Sequence, residues 1–229
     1  MTTAVDPSVR IRAARWTDRQ AVAALIADAL HPSPLGAWLV PDAAQRLRVM
    51  TDVVAVWVEH AMFFGDVHLT DDLAAAIVGF HRYRPIPPPA NYPTRLVEAA
   101  GAHAERFTAL EGLIAQHQPT EPHYHLALLA VSPTRQKAGC GSALLSHHRA
   151  RLDRIGLPSW TAVPAEPEHL LARYGYTLRP PLTLPNGPSL RPMRRNPYRA
   201  SNPMPINSPR PVGNRWQDNT THTGTTLRP

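Results

Sequence analysis

Between Leu126 and Leu145 the chain reads Leu-Ala-Leu-Leu-Ala-Val-Ser-Pro-Thr-Arg-Gln-Lys-Ala-Gly-Cys-Gly-Ser-Ala-Leu-Leu. An apolar run of strand length, a turn at Ser132-Pro133-Thr134, a loop with two glycines and a leucine-bearing helix make a β–loop–α unit. The strand, spanning His123 to Val131, is apolar enough on both faces to lie in the middle of a sheet, covered on both sides. The junction also carries chemistry. Glycines at 139 and 141 let backbone approach an anion closely, and the unpaired N–H groups and dipole of a helix start favour negative charge there. Lys137, the only lysine in the chain, adds a cation at the same place. The expected ligand is a phosphate or pyrophosphate held by Gln136, Lys137, Ala138, Gly139, Cys140, Gly141 and Ser142. A helix that opens on glycine merely for packing is the competing reading. The loop lacks the Gly-Lys-[Ser/Thr] of a P-loop and the closely following second βα unit of a dinucleotide fold.

The flanking sequence reads as mixed α/β. Val9–Ala13 alternates as a short strand, and Thr17-Asp-Arg-Gln20 has the form of a capping box opening a helix that Pro32 and Pro34 end. A second helix is expected from Asp42 to about Glu59. Two strands, Val67–Thr70 and Ala75–Tyr83, turn at Asp71-Asp72. The proline run Pro85–Pro93 is a stiff extended loop, followed by helices near Thr94–Glu105 and Phe107–His117. After the helix from about Gly139 to Arg154 come a strand at Ser159–Val163, a short helix at Glu166–Tyr174, a strand at Tyr176–Leu178 and an edge strand at Leu190–Arg194 interrupted by Pro192.

Charge divides the chain. Of the overall +7, a net of +6 lies from Arg191 onward, where seven arginines face Asp218 alone. Residues 1–198 are therefore read as one folded domain, and 199–229, dominated by Pro, Arg, Asn and Thr without periodicity, as a disordered tail. With no basic stripe through the body, no specific nucleic-acid partner is expected. No apolar stretch of about 18 residues occurs, so no membrane partner is expected either, and a single cysteine argues against a disulfide framework. The cytoplasm is the default location. The excess of arginine over lysine is read as the coding bias of a GC-rich bacterial genome.

The spacing Gln136-x-x-Gly139-x-Gly141 after a strand ending in Val131-Ser-Pro133 resembles the acetyl-CoA pyrophosphate loop of the GNAT N-acetyltransferases. With Glu111-Gly-Leu-Ile, His117-Gln-Pro-Thr-Glu-Pro122, Pro185-Asn-Gly-Pro188 and Met193, the chain over about residues 8–197 is similar to the puromycin N-acetyltransferase-like members of that superfamily. The resemblance implies an α/β GNAT fold, with a mixed, mostly antiparallel sheet splayed between its fourth and fifth strands and flanked by helices. It implies acetyl-CoA as cosubstrate, no metal, a small-molecule amine as acceptor, and a monomer or homodimer. By the same likeness Leu128 and Leu129 supply the backbone donor that polarises the thioester carbonyl, and Leu129, Ala130 and Val131 pair with the pantetheine arm.

Two positions depart from the family pattern. Leu171 stands where many members carry the Tyr that protonates the departing thiolate, and Ala162 where the antibiotic-modifying relatives carry Glu. The replacement candidates are His125 as base, six residues before Val131, and Tyr124 or Tyr174 as acid, set against ordinary packing roles for each. His123 and His125 share a strand face, as in a metal site, but no third ligand accompanies them. His147 and His148, adjacent on a helix, point apart and are expected to be solvated. A CoA-binding protein without turnover is the alternative that the two departures leave open.

Overall fold

The computed structural model describes residues 9–198. Both the proposed tail, 199–229, and the first eight residues lie outside the described residues. In chain order the elements are β1 (Ile11–Ala13), α1 (Arg19–Leu30), α2 (Pro34–Leu39), α3 (Ala43–Phe64), β2 (Gly65–Thr70), β3 (Ala75–Arg82), α4 (Tyr92–Ala100), α5 (Ala104–His117), β4 (His123–Val131), α6 (Cys140–Arg154), β5 (Ser159–Val163), α7 (Glu168–Arg173), β6 (Thr177–Leu178), β7 (Leu182–Thr183) and β8 (Ser189–Arg195). The strands form an open mixed sheet in the order β1-β2-β3-β4-β5-β8-β6, with β7 also paired to β8. Every pairing is antiparallel except β4 with β5.

Helices cover both faces, as the apolar β4 requires. On one face Val22 and Ile26 of α1 and Val54, Val58 and Ala61 of α3 pack on Val67, Leu69, Ala76, Val78 and Phe80. On the other, Leu144, Leu145 and Leu152 of α6 with Leu171 of α7 pack on Ile77, Tyr124, Leu126 and Met193. A third cluster joins α2, the first half of α3, α4 and α5 to Leu182, Leu184 and Leu190 beside β8. Burying a leucine or isoleucine in such layers contributes roughly 1.5–3 kcal/mol relative to exposure.

Four local expectations are corrected. Thr17 does not cap α1: the carboxylate of Asp18 reaches back to the Arg15 N–H (2.7 Å) and Arg12, and a 3-10 turn precedes a helix that starts at Arg19. Pro34 opens a helix instead of only ending one. It occupies the first turn of α2, where its missing N–H is not needed, and Ser33 Oγ accepts the Gly36 N–H (3.0 Å). Helix α4 likewise begins at Tyr92-Pro93, inside the span read as loop, and Gly101 at φ +55° separates it from α5. Finally, β8 is an interior strand. Pro192 is tolerated there because β6 pairs at Met193 and Arg194 and β7 at Ser189 and Leu190, so the missing N–H falls between the two short neighbours.

Candidate active site

Strand β4 pairs with β3 along its whole length but meets β5 only at Tyr124–Ser159 and His125–Trp160. Beyond His125 the parallel neighbours diverge, and Ala127, Leu128 and Leu129 become partly exposed. Opposite Val78-Gly79, strand β4 also carries one extra residue, Ala127: Gly79 faces Leu126 and Val78 faces Leu128. Two bonds fix which way the main chain points on either side of this bulge. The Tyr124 N–H reaches Pro158 O on the β5 side (2.8 Å), and the Ser132 N–H reaches Ala74 O on the β3 side (2.8 Å). Strand alternation then aims the peptide groups of Leu129 and Val131 into the opening, whereas those of Leu128 and Ala130 are spent on β3. Of the two residues expected to supply a backbone donor, the register favours Leu129. Ala130 contributes a buried side chain instead.

At the open end of this wedge sits the start of α6. The first helical bond runs from the Ala143 N–H to Gly139 O (2.9 Å), so the N–H groups of Cys140, Gly141 and Ser142 precede it. Gln136, Lys137 and Ala138 are exposed beside them, Lys137 in the left-handed region at φ 64°. The two glycines have different reasons. Gly139, at φ +87°, has open space where a Cβ would point, so backbone conformation demands it. Gly141 is buried, and a Cβ there would lie 3.2 Å from Val131 Cγ2 and 3.3 Å from Leu170 Cδ2. Its smallness seats α6 against β4 and α7. Cys140 is buried filler between them.

The structure does not bring the three side-chain candidates together. His125 stands at the apex of the wedge, packed against Trp160 (5.2 Å between ring centroids) and Phe80 (6.5 Å), and its Nδ1 has no partner among the described residues. Burial first, then the positive charge of Arg82, pushes its pKa down to about 3. Burial thus works against the expectation of an imidazole that takes up a proton near neutrality, because it disfavours the charged ring and weakens the base. Tyr124 points to the opposite face, edge-on to His81 and 4.5 Å from the ring of His148. Burial raises its pKa well above the usual phenol value, which unsuits it to proton donation near neutrality. Tyr174 follows α7 and borders a cleft with Arg149, Asp153 and Arg195. Leu171 is fully buried core and Ala162 packs against the helical cluster of α2 to α5.

One other expectation about histidines changes. His148 is buried, not solvated, with a pKa lowered by burial to about 3, and the His147 ring lies tilted against that of His68, 5.2 Å between centroids. His123 turns its Nδ1 to Glu121 O (2.9 Å), and among the described residues no group of three or more His, Cys, Asp or Glu is arranged to hold a metal.

Sequence reasoning gave no role to Glu111. On the helical side, its carboxylate accepts from the Trp57 Nε1–H (2.7 Å) and the Tyr92 hydroxyl, joining α3, α4 and α5. Burial raises its pKa against the pull of those two donors. An acid midway along a predicted amphipathic segment gives no outward sign of this; only the tertiary pairing reveals it. Nearby, an aromatic line runs from Phe80 through His60 (5.3 Å) to Phe64 (5.1 Å) and on to the exposed Phe63. The His60 ring bonds Pro87 O (2.8 Å), tying the proline loop to α3.

No family model matches the chain. Solved structures do. "Histone acetyltransferase HPA2 and related acetyltransferase" from Corynebacterium glutamicum superposes with a TM-score of 0.65 at 19% identity, over 85% of this chain and 99% of that one. Arylalkylamine N-acetyltransferase 2 from Aedes aegypti gives 0.54 at 11% identity, over 82% and 99%. An acetyltransferase of the GNAT family from Desulfovibrio desulfuricans gives 0.51 at 17%, again over 82% and 99%. At these identities the likeness speaks for architecture alone, and the splayed mixed sheet with helices on both faces agrees with it: the chain carries the GNAT acetyltransferase fold.

Proposed function

We propose that this chain is an acetyl-CoA-dependent N-acetyltransferase acting on the primary amine of a small molecule. The observation that carries the reading is the wedge between β4 and β5, open where the peptide groups of Leu129 and Val131 and the N-terminus of α6 converge. A pantetheine arm would complete β4 as an added strand on Leu129 and Val131, and a pyrophosphate would rest on the N–H groups from Gly139 to Ser142 beside Lys137. Bound acetyl-CoA supplies a thioester carbonyl as the electrophile. The chain's own part is to align an amine with it, worth up to about 7–11 kcal/mol in well-oriented reactions, and to donate a backbone N–H from Leu129 to the carbonyl oxygen as charge develops.

The exposed aromatic residues Phe63, Phe64 and Tyr83 and the proline loop suit a bulky amine, and the sequence likeness to the puromycin N-acetyltransferase-like branch supports a small-molecule acceptor over a peptide. A panel of amines assayed by thiol release from acetyl-CoA tests this. Turnover with a small aromatic or aliphatic amine is expected; preference for a basic peptide would refute the acceptor class.

A second reading has its own observation. Leu171 fills the core where the family places its acid, and the buried His125 is held neutral. These favour a protein that binds CoA without transfer. Tight CoA binding with no thiol release across the panel would select it.

A further inference from the structure

We infer that the far end of α6 holds a second anion site, for the phosphate of a phosphorylated small molecule. A cleft of about 620 Å³ lies between the second half of α6, the end of α7 and the end of β8, bordered by Arg149, Asp153, Arg173, Tyr174 and Arg195. That volume falls in the range of small-molecule sites. Arg149 and Arg195 flank the single carboxylate of Asp153, so the cleft is net positive.

Arg195 is the unusual member. It is only 4% exposed, its Nη2 donates to Asp153, and its buried Nη1 finds no acceptor among the described residues. Asp153 Oδ1 also accepts the Tyr198 N–H (2.8 Å), so this oxygen already serves two donors. A buried charged donor without an acceptor is destabilising, and an oxyanion in the cleft removes that cost. A guanidinium fork matches phosphate in two-pronged geometry, and the exposed Arg149 can close on the same group from α6.

The site is separate from the coenzyme loop. Arg149 lies nine residues beyond Cys140 along α6, about 13 Å at 1.5 Å per residue, so one phosphate cannot touch both. The phosphate could belong to the ribose end of a coenzyme lying along α6 or to a different compound; the chemistry recognised is the same.

Calorimetry of the full chain with inorganic phosphate at constant ionic strength tests the site. Saturable binding in the millimolar range is expected, weakened on the order of tenfold in Arg149→Gln/Arg173→Gln, since charge-assisted bonds to phosphate are lost. Both side chains are exposed, so this variant should fold, and an unchanged melt without ligand checks it. Gly139→Glu, in the coenzyme loop, should leave phosphate affinity intact, which separates this site from the acetyl-CoA reading. Titrations with CoA and dephospho-CoA then identify the source. Alongside the loss of inorganic phosphate binding, a loss in the double variant seen with CoA but not with dephospho-CoA assigns the ribose phosphate, and unchanged affinity for both coenzymes assigns an independent ligand. No saturable phosphate binding up to about 10 mM, or equal binding by the variant, overturns the site.

Discussion

His148 and His125 lie in the core as neutral rings, both held near a pKa of about 3, and His68 is lowered to about 4, in each case chiefly by burial. The unfolded chain takes up a proton on each near pH 6.5, and the folded chain does not until much lower pH. Below pH 6.5 the unfolded state therefore binds more protons, and stability must fall as pH drops toward 3, by up to about 1.4 kcal/mol per pH unit for each such ring. Urea unfolding at pH 7.5 and pH 5 should show this loss, and His148→Gln should reduce its slope. An unchanged slope would mean that His148 is hydrated in solution. For catalysis the same burial predicts that kcat/KM, once an acceptor is found, shows no titration near 6.5 assignable to His125, so wild type and His125→Gln should give profiles of the same shape. Gly79 makes a further single-residue prediction. A Cβ there would lie 2.3–2.5 Å from the ring and hydroxyl of Tyr124. Gly79→Ala should destabilise by about 1–3 kcal/mol through overpacking, and Tyr124→Leu in the same chain should recover part of it.

Among the elements, β4 and β5 were legible to the residue, because each is a short apolar run bounded by proline or turn residues that permit no extension. Helix α2 was not legible: two prolines read as a stop, and the Ser33 cap that makes Pro34 a helix start is a three-residue signal buried in that pattern. The β4 bulge left no mark either, since Ala127 looks like any other apolar position and only its pairing with β3 shows that it is extra. At the start of α6 both glycines stood out, but their separate reasons did not, because one is set by φ and the other by Val131 and Leu170 across the sheet. This difference is measurable. Gly139→Ala should lower stability through a left-handed backbone that alanine adopts at a cost of about 1 kcal/mol or more. Gly141→Ala should act by crowding, so that Val131→Ala relieves it while leaving the Gly139→Ala defect untouched.

For the whole molecule, the order of strands and helices indicated a mixed α/β class, the splayed sheet was implied only by the family resemblance, and the superpositions agree with that fold. What escaped sequence reading lies between elements: the Trp57–Tyr92–Glu111 group spans three helices, and the arginine cleft draws on α6, α7 and β8. Each depends on contacts far apart in sequence, which local periodicity does not encode. One physical claim underlies the proposed function, that the wedge and the start of α6 bind acetyl-CoA. Titration calorimetry of wild type and Gly139→Glu with acetyl-CoA tests it most directly. Saturable binding by wild type is expected with a Kd below about 1 mM, together with its abolition in Gly139→Glu, where bulk and negative charge enter the anion cradle. An absence of binding by wild type, or undiminished binding by the folded variant, would contradict it.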